Sequence, residues 1–105
     1  MKGIKLHRPP KKKTERKMTA MYHRFLLAIA AAGQSGLTDH ELSRGLGASP
    51  DTARGRRVEL VSFGFVQQTD LRRPTPLGKL ATVWQVTPEG VAKAKTLIRR
   101  QNDAV

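Results

Sequence analysis

Two rhythms of apolar positions divide this chain. Over residues 15–32, Met18, Met21, Tyr22, Phe25, Leu26 and Ile29 recur at spacings of three and four, the period of one helical face. Gly33 and Gly36 end that pattern and open a loop. Thr38 then stands three residues before Glu41, the arrangement in which a hydroxyl and a carboxylate cap a helix start reciprocally. This second helix must be short, because Gly45 and Gly47 follow at once. Ser49-Pro50-Asp51 starts a third helix: a capping serine, a proline where no amide is needed, and an acid in the first turn. It runs to about Phe63, where Gly64 supplies a left-handed stop.

From there the period drops to two. Phe65-Val66-Gln67-Gln68-Thr69 is expected as a strand, residues 71–78 as a loop, and residues 80–86 as a second strand with Leu80, Thr82, Trp84 and Val86 on one face. Trp84 is expected in the core beneath this hairpin. Thr87-Pro88-Glu89 begins a last helix whose apolar face is Val91, Ala94, Leu97 and Ile98. The predicted class is mainly α, with an α+β order of helix, helix, helix, strand, wing, strand, helix. Helices two and three, joined by three or four residues and followed by a hairpin, form a helix-turn-helix with a wing.

Composition sharpens this picture. The 105 residues suit one domain, and the absence of cysteine removes disulfides, thiolate nucleophiles and cysteine zinc sites. A net charge of +12 calls for a polyanionic partner, of which nucleic acid is the commonest. The charge is uneven: residues 1–17 carry eight basic residues and one acid. With Pro9-Pro10 and few apolar residues, that segment cannot offset the entropy of ordering itself. Residues 1–13 are therefore expected as a disordered basic arm, either solubilising or tracking phosphates, and residues 14–102 as the folded domain. The arm candidates for DNA are Lys11, Lys12, Lys13 and Arg16. The basic start and the apolar run at residues 25–32 imitate a secretory leader. The run is short, however, and falls well below the ~20 residues that span a bilayer. A cytoplasmic setting without membrane contact is expected.

Here the residues resemble the winged helix-turn-helix family of DNA-binding domains. The resemblance rests on Leu42-Ser43, Leu46-Gly47, Ser49 and Thr52-Ala53-Arg54, on Leu60 and Gly64-Phe65-Val66, and on Thr87-Pro88-Glu89-Gly90, and it covers about residues 18–100. The run Arg56-Arg57-Val58-Glu59-Leu60 with Thr82-Val83-Trp84 also resembles small proteins of bacteriophages and actinobacteria. The resemblance implies a double-stranded DNA-binding protein, a small transcriptional or replication regulator.

Physical reasoning reaches the same partner. A helix fits the major groove, and its first turns reach base edges. Ser49, Asp51, Thr52, Arg54, Gly55, Arg56 and Arg57 occupy those turns, while Ala53, Leu60 and Val61 face the core. Arg54 and Arg56 are the base-reading candidates, since a guanidinium matches guanine bidentately. Gly55 costs about 1 kcal/mol in a helix interior, which a close approach to a phosphate or to another helix would justify. Arg57 stands where the family usually has an apolar residue. Its stem can lie along the core edge with its charge on Glu59 or Asp39, or it can reach a phosphate. On the wing, Arg72-Arg73-Pro74 is placed at the hairpin tip, and with Lys79 suits a phosphate or a narrow minor groove.

No catalytic constellation emerges. His7, His23 and His40 lack metal spacing, no glycine-rich phosphate loop is present, and the acids sit at helix starts where capping explains them. Neither an enzyme nor a cofactor is expected. The first and last helices are candidate homodimerisation elements. The alternative reading is a winged-helix protein-interaction module acting on a polymerase or replication factor. RNA binding is a third.

Overall fold

The computed structural model describes residues 20–103, and side chains over 22–100. Helix α1 is Ala20–Ala32, followed by a 3-10 turn at Gly33–Ser35; α2 is Asp39–Leu46 and α3 is Pro50–Ser62. Strands β1 (Val66–Pro74) and β2 (Leu80–Val86) form an antiparallel hairpin, and α4 is Pro88–Asp103. Among the described residues this is the expected α+β order.

The helix starts follow from local chemistry. The Glu41 amide donates to the Thr38 hydroxyl at 3.1 Å, and the Thr38 amide donates to the Glu41 carboxylate at 2.9 Å, completing the capping box of α2. Gly47, at φ +65, closes that helix in the left-handed conformation. The Ser43 hydroxyl then donates to the Ala48 carbonyl at 2.6 Å, and the Ala48 amide to the Ser43 carbonyl at 3.0 Å. One small buried residue thereby fixes the turn between α2 and α3 from both sides. Ser49 caps α3 by accepting from the Thr52 amide, and Pro50 opens it.

Phe25, Leu26 and Ile29 of α1, Leu42 of α2, Ala53 and Leu60 of α3, Phe63, Phe65 and Val66, and Ala94 and Leu97 of α4 make one core. Burying a large aliphatic or aromatic side chain contributes roughly 1.5–3 kcal/mol relative to leaving it exposed. The three-helix arrangement therefore rests on this cluster. Gly90 lets α4 join it closely: a Cβ there would overlap the Phe65 carbonyl and stand 2.7 Å from Val86 Cγ2.

Three expectations are corrected. The first strand does not stop at Thr69. It runs through the segment assigned to the loop, past a bulge in which residues 69–71 oppose Val83 alone, and Arg72, Arg73 and Pro74 pair with Thr82, Ala81 and Leu80. Thr69 organises the bulge, its hydroxyl donating to the Val83 carbonyl at 2.7 Å and accepting from the Leu71 amide at 3.1 Å. Pro74 is tolerated because a hairpin leaves each strand an outer edge that needs no donor. Second, β2 is covered on both faces. Trp84 and Val86 pack on the main core, and Val83, on the other face, is fully buried. Gly36 lies so close that a Cβ there would stand 2.6 Å from Val83 Cγ1. Leu37 also pairs with Trp84 through two backbone hydrogen bonds of 2.9 and 2.8 Å, a bridge with no counterpart in the expected elements. Third, only Ala94 and Leu97 of the α4 face are buried; Val91 and Ile98 are 37% and 48% exposed.

Candidate nucleic-acid interface

The first turns of α3 and the outer side of the hairpin hold most of the candidate residues. Their side chains go to opposite destinations. Arg54 is outward, 65% exposed, with Asp51 one turn back at 3.5 Å. Both sit on the rim of α3 with Ser49, whose hydroxyl donates to that of Thr52 at 2.9 Å. Gly55 has nothing within 4 Å of where a Cβ would stand, so no helix packing accounts for it. Of its two proposed explanations, packing against another helix is therefore absent among the described residues.

Arg56 and Arg57 lie differently. The Arg56 guanidinium rests over the Tyr22 ring, 4.6 Å from its centroid, with Glu59 at 3.7 Å. Its charge is thus held at the seam with α1 rather than extended from the helix tip. Arg57 turns fully inward. Its Nε and a terminal nitrogen donate to the two Asp39 carboxylate oxygens at 2.9 and 2.7 Å. Its plane also stacks over Trp84, 3.8 Å from the ring centroid. Of the partners considered for it, Asp39 is the one it takes.

The wing splits its two arginines. Adjacent residues on a strand face opposite sides, so Arg72 and Arg73 cannot both point outward. Arg72 is exposed. Arg73 shares the face of Val83 and reaches the start of α2. It donates to both Glu41 oxygens, at 3.0 and 2.6 Å, and to the carbonyls of Ser35 and Gly36, each at 2.9 Å. The Arg73 guanidinium is the largest influence holding the Glu41 carboxyl below its ordinary range, and Glu41 in turn raises Arg73. The hairpin tip is not Arg72-Arg73-Pro74 but residues 75–78. Lys79 is exposed beside it, and the arm candidates Lys11, Lys12, Lys13 and Arg16 lie outside the described residues.

Sequence reasoning missed two things. Glu41 looked like a capping acid alone, yet it also anchors Arg73 of the wing, whereas Asp39 was already a candidate partner of Arg57. Val58, 48% exposed, lies one turn beyond Arg54 and adds an apolar position to the outward stripe. Its spacing of four from Arg54 was the signal that could have found it.

Among the described residues, no group of three His, Asp or Glu side chains is placed to hold a metal, and no helix is long and apolar enough to cross a membrane. His23, on α1 toward α4, is held below its ordinary pKa, first by burial and then by Lys93 and Arg100.

No protein-family model and no curated protein sequence matches the chain. Solved structures do. The Staphylococcus aureus MepR–DNA complex superposes with a TM-score of 0.66 at 14% identity, over 97% of this chain and 78% of that one. A Lactococcus lactis ZitR mutant gives 0.64 at 16% identity, over 84% of this chain and 56% of ZitR, so the chain spans little more than half of that protein. Escherichia coli MarR, in a point-mutant form, gives 0.61 at 23% identity over 90% of this chain and 70% of that one. MepR is described as a transcription regulator of a multidrug efflux pump. Three helices, the Ser43-locked turn, the hairpin and this shared superposition show that the chain has the winged helix-turn-helix fold.

Proposed function

We propose that the chain binds duplex DNA as a small transcriptional or replication regulator, with the first turns of α3 in the major groove and the wing beside it. One observation carries the reading: Arg54 is outward on α3 while Arg72 and Lys79 are exposed on the adjoining wing. Asp39 and Glu41 are meanwhile engaged by Arg57 and Arg73, which offsets their negative charge. Arg54 is the base-reading residue, since its long planar fork suits guanine O6 and N7. Val58 offers an apolar contact for a thymine methyl. Arg72 and Lys79 serve phosphates. Lys11, Lys12, Lys13 and Arg16 are proposed to add sequence-independent attraction.

The same reading includes a homodimer through α1 and α4. Leu27, Ala30, Ala31, Val91, Ala94 and Ile98 line an apolar groove of about 420 Å³ between these helices. Burial of that groove by a second copy would set two recognition helices on one duplex, and site selection would then return a palindrome.

Mobility shift with duplexes selected from a random pool tests the proposal. Arg54→Ala should weaken the selected site about 10–100-fold and relax preference at one base pair. With roughly 6–8 phosphates neutralised, log K should fall against log salt with a slope of about −5 to −7. Unchanged binding and preference after Arg54→Ala combined with Arg56→Ala would remove α3 from the major groove.

A further inference from the structure

The tip of the wing is apolar, and the DNA-binding reading leaves it unused. Leu77 is 87% exposed, Leu80 64% and Leu71 53%, the three largest exposures of big apolar side chains among the described residues. Pro74 and Pro76 are exposed beside them. A solvated turn has no need of this composition; loop tips are ordinarily polar.

The tip is also rigid. The Thr75 amide donates to the Lys79 carbonyl and the Gly78 amide to the Thr75 carbonyl, both at 2.8 Å. Gly78 takes the left-handed conformation at φ +86, and Pro76 has its φ fixed by its ring. This is the three-residue hairpin loop in which a tight turn is followed by a left-handed glycine. Leu77 is thereby presented at the apex of a closed turn, with little conformational freedom to lose on insertion.

Charge says what it inserts into. Between Asp70 and Glu89 the sequence has no acid, and the cations nearest the apex that remain outward are Arg72 and Lys79. An apolar point flanked by two outward cations matches a groove floored by bases and walled by phosphates. Apolar side chains of this kind enter minor grooves and part base steps. An acid-poor, lysine- and arginine-flanked tip is a worse match for an ordinary protein surface of mixed sign.

We propose that Leu77 is a minor-groove wedge: it seats against a base step and kinks the duplex, with Arg72 and Lys79 on the phosphates to either side. The proposal rests on the DNA-binding reading above and adds a residue and a deformation to it. It also predicts preference for a flexible pyrimidine–purine step, such as TA, outside the bases read by α3.

The test uses the full chain and the selected duplex, placed at varied positions in longer fragments to report bending. A 2-aminopurine at the expected step reports unstacking. Wild type should bend the fragment and raise the fluorescence. Leu77→Asn should lower affinity about tenfold, the change expected when one buried leucine is lost. It should also abolish both signals while leaving the salt slope and thermal midpoint unchanged. Leu77→Phe should restore bending. Arg72→Ala should instead flatten the salt slope by about one and keep the kink. If wild type binds the duplex but Leu77→Asn bends it equally and binds within twofold, the wedge is wrong, and the tip becomes a surface for a protein partner. If wild type does not bind duplex DNA at all, the underlying reading fails first. The two failures are therefore distinct.

Discussion

The outward stripe of α3 and the inner seam at the start of α2 use the same residue types for opposite ends. On the stripe, Arg54 and Asp51 are 65% and 93% exposed and stand 3.5 Å apart, a pairing that water and salt readily replace. In the seam, Arg57 and Asp39 are 13% and 28% exposed and meet through two short parallel hydrogen bonds. The lesson is that an arginine count on a basic helix does not count DNA contacts. Of the six cations that sequence reasoning placed on α3 and the wing, Arg57 and Arg73 brace the frame, and Arg56 is held against Tyr22.

The sharpest break of this contrast is Arg57→Ala. It strands Asp39 at a half-buried site and uncovers Trp84, and should cost roughly 2–3 kcal/mol of stability in urea unfolding. A double-mutant cycle with Asp39→Asn should return a coupling of about 1 kcal/mol or more. Arg54→Ala, measured alongside, should leave stability within about 0.5 kcal/mol. Equal stability losses at the two positions would erase the distinction.

A smaller effect belongs to Glu41 and Arg73. The Glu41 carboxyl is held below its ordinary value of 4.5, first by Arg73. The folded chain therefore releases this proton more readily than the unfolded one. The resulting stabilisation is complete above about pH 4.5 and is lost as pH falls through the lower folded value. Because both side chains are about one-third exposed, solvent screening keeps the loss modest. Glu41→Gln should remove this acid step from the stability–pH curve. An unchanged curve would mean that the pair adds nothing to folding.

The smallest effect is at Gly55, which has open space around it. Gly55→Ala should stabilise α3 by up to about 1 kcal/mol. If a phosphate approaches the helix there, affinity for duplex DNA should fall as stability rises. A gain in stability with no loss of affinity would show that the glycine serves neither.

Local chemistry made much of the fold legible. Thr38 with Glu41, Ser49 with Pro50, and Thr87 with Pro88 announce helix starts, and the structure places α2, α3 and α4 there. What was not legible depended on contacts between distant residues. Two arginines and two prolines at 72–76 look like a loop, because local preference cannot see that Arg73 has Glu41, Ser35 and Gly36 waiting across the sheet face. The same blindness made Glu41 a mere capping acid, while Asp39 was reachable because Arg57 stood at an apolar position and needed a partner. The α4 face was overcounted because a helical period marks apolar positions without saying which of them meet a neighbour.

Glu41 carries one further consequence. The carboxylate that accepts the Thr38 amide also holds the wing arginine. Helix initiation and wing attachment are thus a single event seen from two sides. The Thr38 amide becomes a resident clock for the hairpin: its rate of exchange with deuterium should report how often the wing lets go, without a label on the wing itself.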